Sequence, residues 1–270
     1  MSATSSDDVL YAAGDGVAAI TLNRPEKLNA LRIETYEALI VALREAGDDE
    51  RVGVVTIRGA GRAFCAGGDI DMAQSVLTSE HEARRHFFGR MIEVSKLVLA
   101  LDKPVVCAVH GACVGGGAEL ITFADLVLAG ESAFFLFNGA EIGGGNWWGA
   151  TQLLPLLVGI RRAEEMLYLS RRVEAAEAER IGLVTRVVPD DELAGAVDEA
   201  CARILDLSED GLRLTKAGIR STKELLLASL AAGAEMNVSA LAKPGLHDAF
   251  AAFLDGRAMS WRDLRAGARS

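Results

Sequence analysis

The segment from Lys103 to Gly130 restricts the possible folds of this chain more than any other part of the sequence. It contains a short apolar run, Val105 to Val109, that is bounded by proline and glycine and therefore predicts a buried strand. The apolar stretch after the glycines at 115–117 is long enough for a buried helix. A strand, a glycine loop and a helix in this order predict an α/β protein.

The glycine loop is a candidate site for an anion or a developing oxyanion. Glycine lets backbone N–H groups approach a ligand, and the first N–H groups of a helix are unpaired at the positive end of its dipole. Glu119 falls in the first turn of the predicted helix. A carboxylate there is either a structural residue that matches the dipole or an acid–base group in a dry pocket. This segment alone leaves both interpretations open.

A second glycine-rich turn follows the predicted strand Val52 to Arg58. It lies within the sequence from Ala63 to Ile70, which includes Gly67 and Gly68. Two such turns in one α/β chain can place two N–H groups around one carbonyl oxygen. That arrangement is an oxyanion hole for acyl-thioester chemistry.

In their order and spacing, residues 63–70 and 103–119 resemble the crotonase superfamily, the enoyl-CoA hydratase/isomerase family. The similarity extends from about Val17 to Trp261. It implies an α/β fold, a spiral of repeated β-β-α units, in which residues 1–200 form the core with the coenzyme A site. Residues 201–270 are then expected to form a C-terminal helical region used for trimer packing.

The resemblance also assigns candidate site residues. Gly68 and Gly116 match the positions whose N–H groups hold the thioester oxygen in the family, and Glu119 matches the first of its two acid–base glutamates. The residues just before position 32 can also be explained without a ligand. They would form a loop that Pro25 turns and Asn29 caps. The residues expected to border coenzyme A are Lys27, Leu28, Ala30, Ala66, Gly68, Asp69 and Ile70.

The family's second glutamate can be aligned in two ways. Without gaps its position falls on Gly139, whereas Glu141 lies in a similar Ala-Glu-Ile segment but is displaced by two residues. The flanking sequences favour the ungapped alignment, because Glu141 requires an insertion and a compensating deletion. We expect an enoyl-CoA hydratase. The alternatives are an isomerase or another single-glutamate crotonase reaction, and a non-catalytic acyl-CoA binding protein.

Two further segments depart from the family pattern. In the family, a helix usually begins at a glycine-rich segment in this region. This chain has a different sequence there, with Gly143 to Gly145 followed by the pair Trp147 and Trp148. The indoles either fill core volume or shape a pocket for a bulky, flat or alicyclic acyl group.

The stretch from Asp69 to Thr78 is weakly patterned, and the resemblance implies mobility near Met72 to Ser79.

Composition excludes several other classes of function. The net charge of −10 argues against a general nucleic-acid or anionic-membrane surface. The 4 cysteines lack CxxC spacing and the 4 histidines lack an HExxH arrangement, so we expect no metal. No strand-linked GxGxxG motif is present, and the only expected cofactor is coenzyme A as part of the substrate.

Location and assembly can also be anticipated. No apolar run reaches transmembrane length, and the first residues are polar and acidic, so we expect a cytoplasmic protein. The sequence from Leu225 to Phe253 has more apolar positions than one helix face of a lone domain would bury. We therefore expect a homotrimer or a dimer of trimers.

Overall fold

A computed structural model gives the fold and describes residues 7–240 together with Ala252, Trp261 and Arg262. Its architecture is mixed α/β, as expected. The strands of this part of the chain, in order, are β1 (Val9–Gly14), β2 (Val17–Leu22), β3 (Val54–Gly59), β4 (Val105–Val109), β5 (Ala112–Val114), β6 (Leu126–Gly130), β7 (Phe134–Leu136), β8 (Val173–Glu174) and β9 (Arg186–Val188).

The strands form two sheets. The larger has 6 strands in the order β1-β2-β3-β4-β6-β9, in which β1 and β2 are antiparallel and the later neighbours are parallel. The smaller has 3 strands in the order β5-β7-β8. An isolated bridge between Cys65 and Cys113 joins the loop after β3 to the smaller sheet.

Helices cover both faces of the larger sheet. They are α1 (Ile33–Asp48), α2 (Ile70–Thr78), α3 (His81–Ala100), α4 (Gly116–Leu120), α5 (Ala150–Val158), α6 (Ile160–Tyr168), α7 (Ala175–Ile181), α8 (Leu193–Leu205), α9 (Glu209–Leu227) and α10 (Leu230–Ala240). Helices α1 and α3 belong to the main apolar core, and α8 covers a second cluster on β3, β4 and β6. Both faces are therefore buried, which explains the continuous apolar runs of the central strands.

In the described part of the chain, the order β-β-α occurs twice with its second strand in the smaller sheet. The chain passes from β4 to β5 and α4, and then from β6 to β7 and α5, each time leaving the larger sheet for the smaller one. This agrees with the expected repeat. The alternating or apolar residues on either side of Gly14 to Gly16 predict a hairpin. It is present as β1 and β2, which pair from Val9↔Leu22 to Gly14↔Val17 around the turn at Asp15 and Gly16.

The helix predicted after the glycines is shorter than its apolar run. It ends at Leu120, a short 3-10 turn follows, and the chain returns to the larger sheet as β6. Asp125 fixes this return because its Oδ2 accepts the Val105 N–H at 2.8 Å. Leu126 then pairs with Val106. Periodicity could not separate these elements, because a buried strand and a buried helix are both apolar throughout.

Two helix boundaries differ from the sequence-based expectation. The weakly patterned stretch after Asp69 is the helix α2, and Asp69 caps it by accepting the N–H groups of Asp71 and Met72 at 3.0 and 3.2 Å. The periodicity of the sequence predicts a helix from His86 to Leu101, whereas helix α3 already begins at His81. Its first turns are polar, which concealed the start. Arg84 nonetheless turns inward and donates to the Val76 carbonyl at 3.1 Å.

The glycine loop brings α4 unusually close to the loop after β3. Gly115 adopts φ +49° and ψ −118°, which an L side chain rarely adopts, and its N–H donates to the Leu136 carbonyl at 2.8 Å. A Cβ on Gly117 would lie 2.6 Å from the Cys65 Cβ and 2.7 Å from its carbonyl oxygen. The two glycine turns pack against each other only because position 117 has no side chain.

The expected C-terminal region is described in part. The boundary placed between residues 200 and 201 falls inside α8, which packs on the larger sheet. Separation of the last seventy residues from the core therefore stays a prediction. Most of the predicted trimer segment after residue 240, namely 241–251 and 253, lies outside the described residues. Within the described part, no helix is long and apolar enough to cross a membrane, and no group of acidic, histidine or cysteine side chains has a metal-binding arrangement.

Gly117→Ala should lower the free energy of unfolding by about 1–3 kcal/mol, because the added methyl group must push the Cys65 backbone away. Gly195→Ala is the matched control. It lies in α8 with nothing within 4 Å of its ideal Cβ, and it should stabilise by up to about 1 kcal/mol. Urea unfolding followed by circular dichroism measures both. Equal stability of the two variants would contradict this packing.

Candidate active site

A cavity of about 620 Å³ lies beside the loops that follow β3 and β5. The structure brings nearly all the sequence-predicted site residues to its walls. Those expected to border coenzyme A are Lys27, Leu28, Ala30, Ala66, Gly68, Asp69 and Ile70, and those expected to act in the reaction are Gly68, Gly116 and Glu119. Glu141 is exposed and is not among the lining residues.

The backbone N–H groups of Gly68 and Gly116 are close together at this cavity. A Cβ built on Gly116 would lie 4.0 Å from the Gly68 nitrogen, and one on Gly67 would lie 3.5 Å from the Gly116 nitrogen. The Leu31 N–H donates to the Gly67 carbonyl, and the Leu31 carbonyl accepts the Asp69 N–H. These two hydrogen bonds hold the backbone before and after the Gly68 N–H. Among the described residues, neither glycine N–H has an acceptor. Such a pair can hold one oxygen atom.

Glu119 places a carboxyl group one helical turn after Gly116. The residue is only 6% exposed, and its Oε1 accepts the Trp148 backbone N–H at 3.0 Å. Burial raises the pKa of Glu119 well above the usual carboxyl range, and the hydrogen bond from Trp148 offsets this only in part. A carboxyl group with a raised pKa is a stronger base when ionised than an exposed one, which suits a group that takes up and releases a proton.

Asp69 has a structural role in the cavity wall. Besides capping α2, it accepts from Arg24 Nη1 at 2.8 Å. Arg24 also donates to the Ala30 carbonyl at 2.7 Å, so it ties together two segments of the wall. Burial raises the pKa of Asp69, but the hydrogen bonds from Arg24 and Met72 N–H outweigh it and leave the pKa below its usual value. The side chain is therefore a fixed anion, and the Asp69 backbone borders the cavity.

The region of the second glutamate contains an amide instead of a carboxylate. The Gly139 N–H donates to Asn146 Oδ1 at 3.0 Å, and a Cβ at position 139 would lie only 2.8 Å from that oxygen. Asn146 thus occupies the space where a side chain at 139 would begin. Glu141 lies in the turn that follows, and its carbonyl accepts the Trp261 indole N–H at 3.0 Å.

The two indoles belong to the core. Trp148 is fully buried against Tyr36 and Phe123, with ring centroids 5.8 and 5.6 Å apart, and neither Trp147 nor Trp148 is among the residues that line the cavity. Of the two interpretations, the core-filling one agrees with this position. The Trp148 backbone still matters for the site, because its N–H fixes the Glu119 carboxyl.

Motif reasoning missed Tyr36, Arg62 and Asn146, all of which line the cavity. Tyr36 lies on the apolar face of α1, where its spacing indicates a core residue. Arg62 directly precedes the second glycine segment, and nothing in its spacing distinguishes it from a surface cation. Asn146 could be found only by its contact with Gly139, which joins positions that no local pattern connects.

The mixed α/β fold, with a deep cavity at the ends of parallel strands and a buried carboxyl group in it, defines an enzyme of the α/β class. Comparison with known proteins gives the family. A family model described as enoyl-CoA hydratase/isomerase matches residues 12–264. The chain belongs to this family, which is part of the crotonase superfamily.

Individual relatives agree with this assignment. A protein named probable enoyl-CoA hydratase from Mycobacterium tuberculosis is 39% identical over 205 residues, covering 74% of this chain and 72% of the relative. A crotonyl-CoA hydratase from Syntrophomonas wolfei is 36% identical over 213 residues, with 78% and 80% covered. The crystal structure of an enoyl-CoA hydratase/isomerase from Xanthobacter autotrophicus has a TM-score of 0.86 at 32% identity, covering 96% of this chain and 98% of that one.

Glu119→Gln should change the pH dependence of stability. A buried carboxyl with a raised pKa holds its proton in the folded state at pH values where the unfolded chain has released it. Wild-type stability should therefore fall, relative to the variant, as pH rises from about 4, the usual carboxyl pKa, towards the raised folded pKa. Urea unfolding of both proteins at several pH values measures this difference. A difference that is independent of pH would contradict the burial of an ionisable group.

Proposed function

We propose that this protein is an enoyl-CoA hydratase, which adds water across the double bond next to a thioester. The observation that carries the proposal is the position of Glu119, a buried carboxyl one helical turn from the Gly116 N–H in the same cavity. The N–H groups of Gly68 and Gly116 would hold the thioester oxygen as an oxyanion hole. They face charge that develops on this oxygen when the enolate forms.

In this proposal one carboxyl group carries out both proton transfers. The Glu119 carboxylate takes a proton from water as the water oxygen bonds to the β-carbon, and the double-bond electrons move onto the thioester oxygen. The protonated Glu119 then gives its proton to the α-carbon, and the carbonyl re-forms. Atoms and charge balance without a second carboxylate. Water and proton reach the same face of the substrate, because one group handles both.

The coenzyme A part of the substrate would lie along the outer wall. Lys27 and Arg62 are exposed cations at the cavity, and Lys27 has only a 3.9 Å approach to the exposed Asp71. They are available for phosphate oxygens. The rest of the coenzyme A group would lie against the backbones of Leu28, Ala30, Ala66 and Ile70. Coenzyme A would enter only with the substrate, with no permanently bound cofactor.

Enoyl-CoA isomerisation is the second candidate, and the absence of a second carboxylate among the described lining residues near Gly139 favours it specifically. Glu119 alone can carry a proton between the α- and γ-carbons. A non-catalytic acyl-CoA binding protein is the third. The buried Glu119 argues against it, because a binding protein gains nothing from a desolvated carboxyl group.

Glu119→Gln should lower turnover by about 10²–10⁴-fold, because it removes the only proposed proton carrier. The amide can still accept the Trp148 N–H, so affinity for a saturated acyl-CoA should stay close to that of the wild type. The measurement is hydration over a panel of short, long, aromatic and alicyclic enoyl-CoA substrates, alongside calorimetric binding of butyryl-CoA.

Glu141→Gln is the matched control, and it should be nearly as active as the wild type because Glu141 is exposed outside the cavity lining. Failure of both variants would restore the shifted alignment with two glutamates. A fully active Glu119→Gln protein would refute the proposed role. Isomerisation of 3-enoyl-CoA without any hydration across the panel would select the second candidate.

We further propose that the chain works in the cytoplasm as a homotrimer or a dimer of trimers. Its cysteines are buried and unpaired, as in a reducing compartment. On α5 and α6, Leu156, Ile160 and Tyr168 are 56%, 63% and 75% exposed, a stretch of apolar surface that supports a partner copy. Sedimentation at micromolar concentration should give a trimeric or hexameric mass. A stable monomer would rule this out.

A further inference from the structure

Tyr36 is a buried polar residue whose hydroxyl group has no role in the function proposed above. It is 1% exposed, it lines the cavity, and no described residue forms a hydrogen bond with its hydroxyl group. Its ring is held edge-on between Phe87 and Trp148, with centroids 5.7 and 5.8 Å away. The hydroxyl group therefore has a fixed position at the cavity wall.

This hydroxyl group lies at the reacting end of the cavity. Its oxygen is 3.6 Å from the place where a Cβ on Gly116 would be. Glu119 is close enough for its charge to contribute to the raised pKa of Tyr36, after the larger effect of burial and that of Cys65. The phenol accordingly stays protonated and acts as a hydrogen-bond donor. Its hydroxyl oxygen is not among the fully buried, unpaired polar atoms of the described residues, so this donor is open to a molecule in the cavity.

The oxygen atoms that the reaction brings into the cavity are the partners to compare for this donor. A thioester carbonyl oxygen has two lone pairs, and the N–H groups of Gly68 and Gly116 would use both. A simple enoyl chain carries no other oxygen. The remaining oxygen is that of the water that adds to the β-carbon, which becomes the 3-hydroxyl group of the product.

We infer that Tyr36 is a positioning residue for this water. Its O–H donates to one lone pair of the water oxygen while Glu119 accepts a water hydrogen, so the second lone pair is directed at the β-carbon. As the C–O bond forms, the O–H bond to the departing proton breaks and that proton goes to Glu119. Tyr36 keeps its own proton throughout. The inference rests on the proposed hydratase function.

The test compares Tyr36→Phe with Tyr11→Phe. The phenylalanine keeps the ring contacts of position 36. Tyr11 is the control, because its hydroxyl oxygen also has no partner among the described residues, but it is fully buried and Tyr11 does not line the cavity. We expect Tyr36→Phe to lower kcat for hydration about 10- to 100-fold with little change in KM, and Tyr11→Phe to leave both unchanged.

A binding experiment separates the water site from the thioester oxygen. In the Glu119→Gln background, adding Tyr36→Phe should weaken 3-hydroxybutyryl-CoA about 5- to 10-fold, because the product hydroxyl occupies the water position. Butyryl-CoA, which lacks that oxygen, should bind equally to both proteins. Equal weakening of both ligands would assign Tyr36 to the thioester oxygen and overturn the inference, as would unchanged hydration by Tyr36→Phe.

A different experimental result would refute the proposed function. A wild-type protein that binds butyryl-CoA but hydrates no enoyl-CoA would refute the hydratase activity. The binding comparison would still report whether Tyr36 recognises an oxygen on the β-carbon. Loss of selective binding to 3-hydroxybutyryl-CoA in the Tyr36→Phe protein supports the assignment, and its retention refutes it.

Discussion

The desolvated carboxyl group of Glu119 is the constraint on which the rest of the site depends. A buried carboxyl is costly, and a single hydrogen bond from the Trp148 backbone holds it in place. That bond requires the segment before α5 to return to the first turn of α4. Trp148 is also fully buried, so the residue that donates to Glu119 fills core volume with its side chain. Packing and acid–base chemistry are therefore coupled at one residue.

The approach of the two glycine turns is the second constraint. Gly117 allows α4 to contact Cys65, and the bridge between Cys65 and Cys113 fixes the loop after β3 to the smaller sheet. The N–H groups of Gly68 and Gly116, which have no acceptor in the described part of the chain, are positioned by this contact. Their spacing is set by buried backbone and not by mobile side chains. Such a pair needs little reorganisation when charge develops on a bound oxygen.

The sequence predicts those parts of the structure that depend on the chemistry of neighbouring residues. The central strands, the hairpin and the glycine turns follow from apolar runs and glycine positions, and the similarity of motifs placed Glu119 beside them. It could not divide the apolar stretch after Gly117 into a helix and the strand β6, since both are buried. It also missed Tyr36 and Asn146, because each looks ordinary in its own segment and gains a role only through contacts across the cavity.

The same contacts explain how a site of this kind can work with one carboxyl group. Position 139 is a glycine in this chain, and Asn146 Oδ1 lies where a side chain there would begin. An amide cannot take a proton from water at neutral pH, so proton transfer would fall to Glu119 alone. Water must then be oriented by neutral groups. Tyr36 meets that need, because burial keeps its hydroxyl protonated and the ring contacts with Phe87 and Trp148 fix its direction.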